Sequence, residues 1–468
     1  MAVTRLSGTK NHGPKCYLMN KNAESRREFI RKTAIGSAGV AVGGILPHFS
    51  AKGYGRIMGA NERINASIMG VNSRGLALAN TFAYQPNCDL IHVCDVDSRV
   101  LANCLTGLKE RQAIEAKGFG DFRRSLESRD VDVMVIATPD HWHAPAALLS
   151  MQAGKHVYVE KPCSHNPREG ELLVEAATRY TKSVQMGNQL RSWPNVQAGI
   201  NELKNGIIGR VYFGKAWYTN NRPSIGIGQK APVPDWLDWQ LWQGPAPRRD
   251  YKDNLVHYNW HWHWHWGTGE ALNNGTHTMD ILRWGLEVDF PMRVNSNGGR
   301  YRYQDDWETP DTQVITLDFE GGKTLTWEGR SCNGKDVEGS TGGVMFYGEN
   351  GSMHIPVGNS YTVYDLKSQV VKEVKDSRVV DSRNATSPAE HLDALHVQNL
   401  FDAIRSGGKL NSHIREGHKS TLLAHLGNIA QRVGRTLYTD PSNGRILRDE
   451  EAMKLWGRSY EKGWELNL

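Results

Sequence analysis

A short apolar run, INASIM at residues 64–69, stops at Gly70, and a helical spacing of apolar positions begins a few residues later in LALANTFAY. That order predicts a strand, a tight turn and a helix. Short apolar runs then alternate with helix-spaced stretches as far as about residue 190. DLIHVCD (89–95), VDVMVIA (131–137), KHVYV (155–159) and VQMGNQ (184–189) are the runs. Strands that are apolar throughout are covered on both faces, so this half predicts a parallel, doubly wound sheet. A helix at residues 194–205 closes it, with Asn205-Gly206 as its stop signal. From Val211 the period changes to two. VYFGKAWYTN (211–220), VITLDF (314–319), KTLTWE (323–328), GVMFYG (343–348), SMHIP (352–356) and YTVYDL (361–366) alternate between Gly- and Asp-rich turns. They predict a large, mostly antiparallel sheet. Helices at 391–405 and 415–435, then a tail at 456–468, are expected to return against the first half.

The fold expected is α/β: an N-terminal doubly wound parallel sheet followed by an α+β domain. The boundaries are a leader and linker at 1–55, domains at 56–190 and 191–390, and returning helices and tail at 391–468. A chain of 468 residues is long for one core and suits two domains. A net charge of +6 with no Lys/Arg run speaks against nucleic acid as a partner. The six cysteines form no C-x-x-C pair or other zinc spacing. Tryptophans gather between Trp193 and Trp327. Flat indole faces suit the C–H faces of sugars, and core packing is the competing reason.

In the leader, SRREFIRK (25–32) precedes the Gly/Ala-rich TAIGSAGVAVGGIL (33–46). Paired Arg26 and Arg27 before a mildly apolar stretch predict twin-arginine export of a folded protein to the periplasm or another extracytoplasmic space, with an amphipathic surface helix as the alternative. No other stretch is apolar and long enough to span a bilayer, so no membrane span is expected in the mature chain.

Candidate chemistry lies at the strand ends, where open parallel sheets bind ligands. The turn Gly70, Val71, Asn72, Ser73, Arg74, Gly75 is suited to a dinucleotide's pyrophosphate at a helix N-terminus, although Asn72 stands where the usual fingerprint has a glycine. Asp95 follows at the distance at which a carboxylate meets the adenosine ribose, which argues for NAD over NADP; nearby Arg99 argues the other way. Later strands end in Thr138-Pro-Asp140-His141-Trp142-His143, in Glu160-Lys161-Pro162 and in Asn188. In GEALNNGTHTMD (269–280), Asn273 and His277 are expected on one face of a helix, with Asp280 beyond them as an orienting or capping group. An imidazole there is suited to take an alcohol's proton, and a helix-core His is the plainer reading. HYNWHWHWHW (257–266), read as a strand, puts His on one face and Trp on the other; an aromatic sugar-binding wall fits better than a metal site, and no metal is expected. Arg191, Tyr218, Arg222 and Trp307 are candidate substrate contacts.

GVNSRG, CDVD, ATPDHWH and above all EKP after GKHVYV resemble the Gfo/Idh/MocA oxidoreductases, the glucose-fructose oxidoreductase and inositol dehydrogenase group, from about residue 64 to the C-terminus. The resemblance implies a Rossmann domain holding NAD through Gly70, Asn72, Ser73, Arg74, Gly75, Asp95, Thr138, Asp140, His141, Trp142, His143, Glu160, Lys161 and Asn188. It implies Lys161 and His277 as catalytic residues acting on a saccharide or polyol, with Arg191, Tyr218, Asn273 and Asn274 as further substrate contacts. The inositol dehydrogenase branch has an Asp where this chain has Asn273, so the base role rests more heavily on His277. A glycosidase branch, the NAD-dependent α-N-acetylgalactosaminidases, resembles it too: its substrate-contacting Tyr matches Tyr218, and of its Tyr-Pro-Thr-His only Thr276 and His277 remain. A non-catalytic sugar-binding protein is the third alternative. The resemblance also implies a homodimer or homotetramer.

Overall fold

In the computed structural model, which describes residues 62–376 and 390–468, the first half is built as its apolar runs predict. Strands β1 (Ile64–Met69), β2 (Cys88–Cys94), β3 (Lys117–Phe119), β4 (Val133–Ile136), β5 (His156–Val159) and β6 (Val184–Met186) form one sheet in the order β3-β2-β1-β4-β5-β6. Every pairing in it is parallel. The order reverses between β1 and β4, which opens a crevice above the carboxyl ends of those two strands. Helices α1 (Arg74–Ala83), α2 (Ser98–Lys109), α3 (Arg123–Leu126), α4 (Asp140–Gln152), α5 (Pro167–Arg179) and α6 (Pro194–Lys204) make the connections. The leader and its twin-arginine pair lie outside the described residues.

The second sheet has nine strands. They are β7 (Val211–Thr219), β8 (Arg293–Gly299), β9 (Thr312–Phe319), β10 (Lys323–Arg330), β11 (Gly342–Gly348), β12 (Ser352–Pro356), β13 (Tyr361–Tyr364), β14 (Val370–Val374) and β15 (Leu437–Tyr438). The order is β14-β13-β12-β11-β7-β10-β9-β8-β15, antiparallel except where β7 meets β10. Alternation placed the central strands. The sequence reading omitted β8, β14 and β15: RVNSNGG has little apolar content and is held by its ladder to β9, while VVKEV is an exposed edge. Between β7 and β8 lie α7 (Trp239–Gln243), α8 (Glu270–Asn273) and α9 (Gly275–Leu286). Leu272, Met279, Ile281 and Leu282 of α8 and α9 join Ile315, Leu325 and Trp327 of the sheet in one core.

The last helices are α10 (Glu390–Ser406), α11 (Ile414–Val433) and α12 (Glu450–Met453). They pack back on the first sheet. Val397, Leu400 and Phe401 of α10 complete the core beneath β1, with Phe401 edge-on to Phe82, and Ile414 opens α11 against Met186 and its neighbours. Residues 63–468 therefore form one compact unit. Among the described residues no helix is long and apolar enough to cross a membrane.

The His/Trp repeat is not a strand. Asn259–Trp262 is a single 3-10 turn and the rest is irregular. Its rings go to separate places, each to the neighbour that the fold brings to it. Trp262 stacks on Trp307 at 3.9 Å, Trp266 packs on Trp239 and Trp242, and His265 Nε2 lies 2.8 Å from the Pro247 carbonyl. Period-two spacing alone does not make a ladder; Gly267 and Gly269 and the local turn bonds decide this segment instead.

Candidate active site

The crevice above β1 and β4 deepens into a cleft of about 400 Å³ that also takes walls from the 218–278 region. At its floor, Gly70 has φ +82°, and a Cβ there would meet the Ala137 carbonyl oxygen at 2.8 Å. A Cβ on Gly75 would lie 1.8 Å from the Gly70 oxygen. The two glycines thus bring α1 hard against the strand end, as a dinucleotide turn requires. No side chain caps α1; the Gly75 N–H donates to the Asn72 carbonyl at 3.1 Å, and the Leu76 N–H of the same turn is left for an anion.

Asp95 lines the cleft beyond the turn, Oδ2 accepting the Val71 N–H at 2.7 Å and Oδ1 that of Asp97 at 2.9 Å. Burial raises its pKa, against the pull of those N–H groups. Arg99, the residue that left NADP open, lies over Trp236 at 3.5 Å and forks onto Asp97. Its charge is thereby spent away from the cleft.

Thr138, Asp140, Trp142 and His143 continue the wall. Thr138 Oγ1 is buried without a protein partner among the described residues. His143 faces two carbonyl oxygens, Pro162 at 2.6 Å and Thr138 at 2.8 Å, and so ties α4 to the end of β5. Glu160 accepts from Arg74 Nε (2.8 Å) and Gln189 Nε2 (3.0 Å), and Arg74 Nη1 reaches Asp393 on α10 at 2.9 Å. Burial alone would raise the Glu160 carboxyl, but Arg74 and Lys161 more than offset it and hold it below its ordinary value.

Lys161 and His277 meet in this cleft, one from each sheet's half of the chain. Lys161 Nζ donates to the Asn273 carbonyl at 2.7 Å and to Asn273 Oδ1 at 3.1 Å. Burial pulls the ammonium below its ordinary value, against Glu160 and Asp140, which raise it. His277 makes no hydrogen bond among the described residues, and its Nδ1 is sealed from solvent. Burial, and after it the charge of Lys161, push its imidazole down to about 3, so the ring is neutral at physiological pH. The single helix expected here is broken at Asn274, between α8 and α9, yet Asn273, Asn274 and His277 all reach the cleft, as does Tyr218.

Some expected site residues do not line the cleft. His141 is buried among Trp142, Trp242 and Trp266 with Nε2 2.9 Å from the Trp242 carbonyl, because its place on α4 turns it into the aromatic packing. Arg191, 6% exposed, forks onto Asp280 at 2.7 and 2.8 Å and is a structural ion pair. Asp280 is taken by Arg191 and Ser420 and caps no helix. Asn188 is buried behind the wall with its amide atoms unpartnered among the described residues. Gly75 acts from beneath the floor, and Trp307 backs Trp262. His257 of the His/Trp run lines the cleft, and so do Asp393 and Trp193, which were not singled out. Nothing short-range marks Asp393, which arrives from a helix 319 residues from Arg74.

The uncapped helix end, the glycine cradle, the Asp95 carboxylate and the orphaned Thr138 hydroxyl fit a nicotinamide dinucleotide. Residues 64–188 match the profile described as oxidoreductase family, NAD-binding Rossmann fold, and residues 214–466 match the family's C-terminal alpha/beta domain. The chain belongs to the Gfo/Idh/MocA oxidoreductase family. Residues 64–188 are the family's NAD-binding Rossmann domain. Among Gfo/Idh/MocA relatives, glycosyl hydrolase family 109 protein 2 of Shewanella sp. (strain ANA-3) is 28% identical over 328 residues, which cover 67% of this chain and 68% of that protein. A solved levoglucosan dehydrogenase in complex with NADH aligns with a TM-score of 0.62 at 16% identity, over 80% of this chain and 98% of the other. Aldose-aldose oxidoreductase from Caulobacter crescentus, complexed with glycerol, aligns at 0.60 and 17%, over 80% and 99%.

Proposed function

We propose that the protein is an NAD(H)-dependent oxidoreductase that moves a hydride to or from the carbon of a saccharide or polyol hydroxyl. The observation that carries this reading is the meeting of Lys161 and His277 in one cleft beside the dinucleotide turn. When bound, the nicotinamide supplies the hydride acceptor or donor. Lys161 and His277 hold the same substrate hydroxyl. In the oxidation direction the hydroxyl proton passes to Lys161 Nζ, and it returns from there in reduction. The pKa shifts favour this division: His277 is pushed too far down to hold a proton, whereas Lys161 is lowered toward a usable base. The neutral ring of His277 then orients the hydroxyl, a role different from the base expected of it.

Tyr218, Asn274 and the Trp260 and His261 rings, which also line the cleft, supply polar and flat contacts of the kind a sugar ring meets. The expected dimer or tetramer and the extracytoplasmic location belong to the same reading.

A second reading is favoured by the glycosyl hydrolase name of the relative in Shewanella. The same two residues would serve transient oxidation, which acidifies the neighbouring C–H, then elimination of the aglycone, addition of water to the unsaturated ketone, and re-reduction. One experiment separates the two. The purified protein, after mass spectrometry of its released nucleotide, is given free sugars and aryl glycosides while absorbance of NADH and of the aglycone are followed. Lasting NADH gain or bleaching supports the oxidoreductase; aglycone release with no net change in NADH supports the hydrolase. Neither signal with any compound would refute both, and leave a sugar-binding protein.

A further inference from the structure

The substrate end of the cleft is built around a carboxylate that the reaction above does not use. Glu270 is 3% exposed and opens α8. Its Oε2 accepts from Arg222 Nε at 2.9 Å and Ser331 Oγ at 3.0 Å. Its Oε1 accepts from the side-chain amides of Asn274 and, at 3.5 Å, Asn273. Asn273 is the residue that receives Lys161 Nζ through both its oxygens. One buried carboxylate therefore joins the arginine of the cleft wall to the lysine of the reacting centre.

Arg222 is held on every side but one. Its guanidinium lies over Trp262 at 4.9 Å and Tyr258 at 5.6 Å, and Nη1 donates to the Tyr258 hydroxyl at 2.7 Å. Nη2 donates no hydrogen bond among the described residues, and Arg222 lines the cleft. A planar fork with Nε, one N–H of Nη1 and a face engaged still has both N–H groups of Nη2 to offer. Glu270 offsets the charge behind them. Elsewhere along the wall, Asp95, Asp140, Glu160 and Asp393 stand against Arg74 and Lys161. Such a site offers a hydrogen bond to an uncharged oxygen and does not invite a second anion beside the dinucleotide.

We propose that Glu270 is the positioning residue of the substrate end: it aims Arg222 Nη2 at an uncharged oxygen of the saccharide, away from the reacting carbon, and through Asn273 keeps Lys161 in register with it. The proposal rests on the saccharide reading above, and it makes the preferred substrate a neutral sugar over its uronate.

The test uses holoprotein loaded with NADH: wild type, Glu270→Gln, Arg222→Gln and the double variant, each checked for unchanged nucleotide content and for melting well above the assay temperature. Single-turnover bleaching is measured with the neutral keto-sugar that the compound panel selects and with the corresponding 6-carboxylate. Arg222→Gln should raise half-saturation about 10- to 100-fold, the worth of a hydrogen bond from a charged donor, with a limiting rate within about threefold of wild type. Glu270→Gln should raise half-saturation likewise and also lower the limiting rate by about tenfold, because Lys161 loses its frame. The double variant should be no worse than Glu270→Gln, since both substitutions break one unit. Wild-type kinetics in Glu270→Gln, additive losses, or a wild type that prefers the carboxylate would each overturn the proposal. If wild type bleaches with no sugar, the saccharide reading fails, and a crystal structure of the Glu270→Gln holoprotein decides the positioning role. Arg222 swung off Trp262 supports it; Arg222 unmoved overturns it.

Discussion

Replacing Lys161 with Met removes the amine while keeping most of the side-chain volume, so the perturbation is chemical more than steric. The Asn273 carbonyl and Oδ1 lose the donor they hold at 2.7 and 3.1 Å. Leaving those acceptors unpaired in the cleft costs about 1–3 kcal/mol of stability, which a domain of this size survives. The kinetic loss should be larger. A positioned acid–base group is worth about 10²–10⁴ in rate, or about 3–5 kcal/mol at 1.36 kcal/mol per decade. Nucleotide content should be unchanged, because the glycine cradle and Asp95 lie at the other end of the cleft. The pH profile carries the sharper information. Burial lowers the Lys161 pKa, so the neutral amine is populated below the ordinary lysine value of 10.5. Sugar oxidation by wild type should rise with pH until Lys161 is deprotonated and then level off, and the variant should lack that step. The assay is initial NADH formation across pH with the sugar in excess. A Lys161→Met variant that keeps the step, or turns over within about threefold of wild type, refutes the assignment of the proton to Lys161.

Asp95→Ser should weaken NAD by about 1–3 kcal/mol through loss of a charge-assisted contact; isothermal titration checks it, and release of NADP from the wild type would sink the ribose assignment. Acid should destabilise the fold. The imidazoles of His396 and His418 are held down to about 4, and that of His425 to about 3, by burial. Because their folded values lie below the ordinary 6.5, the unfolded chain binds more protons as pH falls from about 6.5 toward 4, and each group removes up to about 1.4 kcal/mol per pH unit in that window. Urea midpoints at pH 7.5, 5.5 and 4.5 should fall in that order, and a flat series would contradict the burial argument. Changing Arg26 and Arg27 to Lys should leave folded, nucleotide-loaded protein in the cytoplasm, as read by cell fractionation.

The cofactor half was legible because its chemistry is local. Strand, turn and helix follow within 12 residues, and Gly70 and Gly75 are demanded by backbone contacts that any dinucleotide turn must make. Asp95 needs only to follow β2. The tandem strands from Val211 onward were legible for a similar reason, since one covered face imposes alternation. The His/Trp repeat shows where that reasoning stops. Alternation is a property of a paired strand, and 257–266 has no partner ladder, so its rings are sorted by which indole each can stack on.

The substrate half is made of pairs that no window of sequence contains: Arg222 with Glu270 across 48 residues, Arg191 with Asp280 across 89, Lys161 with Asn273 across 112. Solvation separates the two arginines. Arg191 and Arg222 are both mostly enclosed, with side chains 6% and 12% exposed, and an enclosed guanidinium left unpaired costs about 3–5 kcal/mol. Each therefore takes the carboxylate that the fold brings to it. Arg191 meets Asp280 with Nε and Nη2 together, a bidentate fork that leaves Arg191 outside the cleft lining. Arg222 meets Glu270 with Nε alone, because Ser331 and the asparagine amides share that carboxylate, and its Nη2 takes no partner among the described residues while Arg222 lines the cleft. From the sequence both arginines are candidates, and the resemblance favours Arg191. The number of donors competing for each acid makes one a brace and leaves the other as the arginine we propose for a ligand.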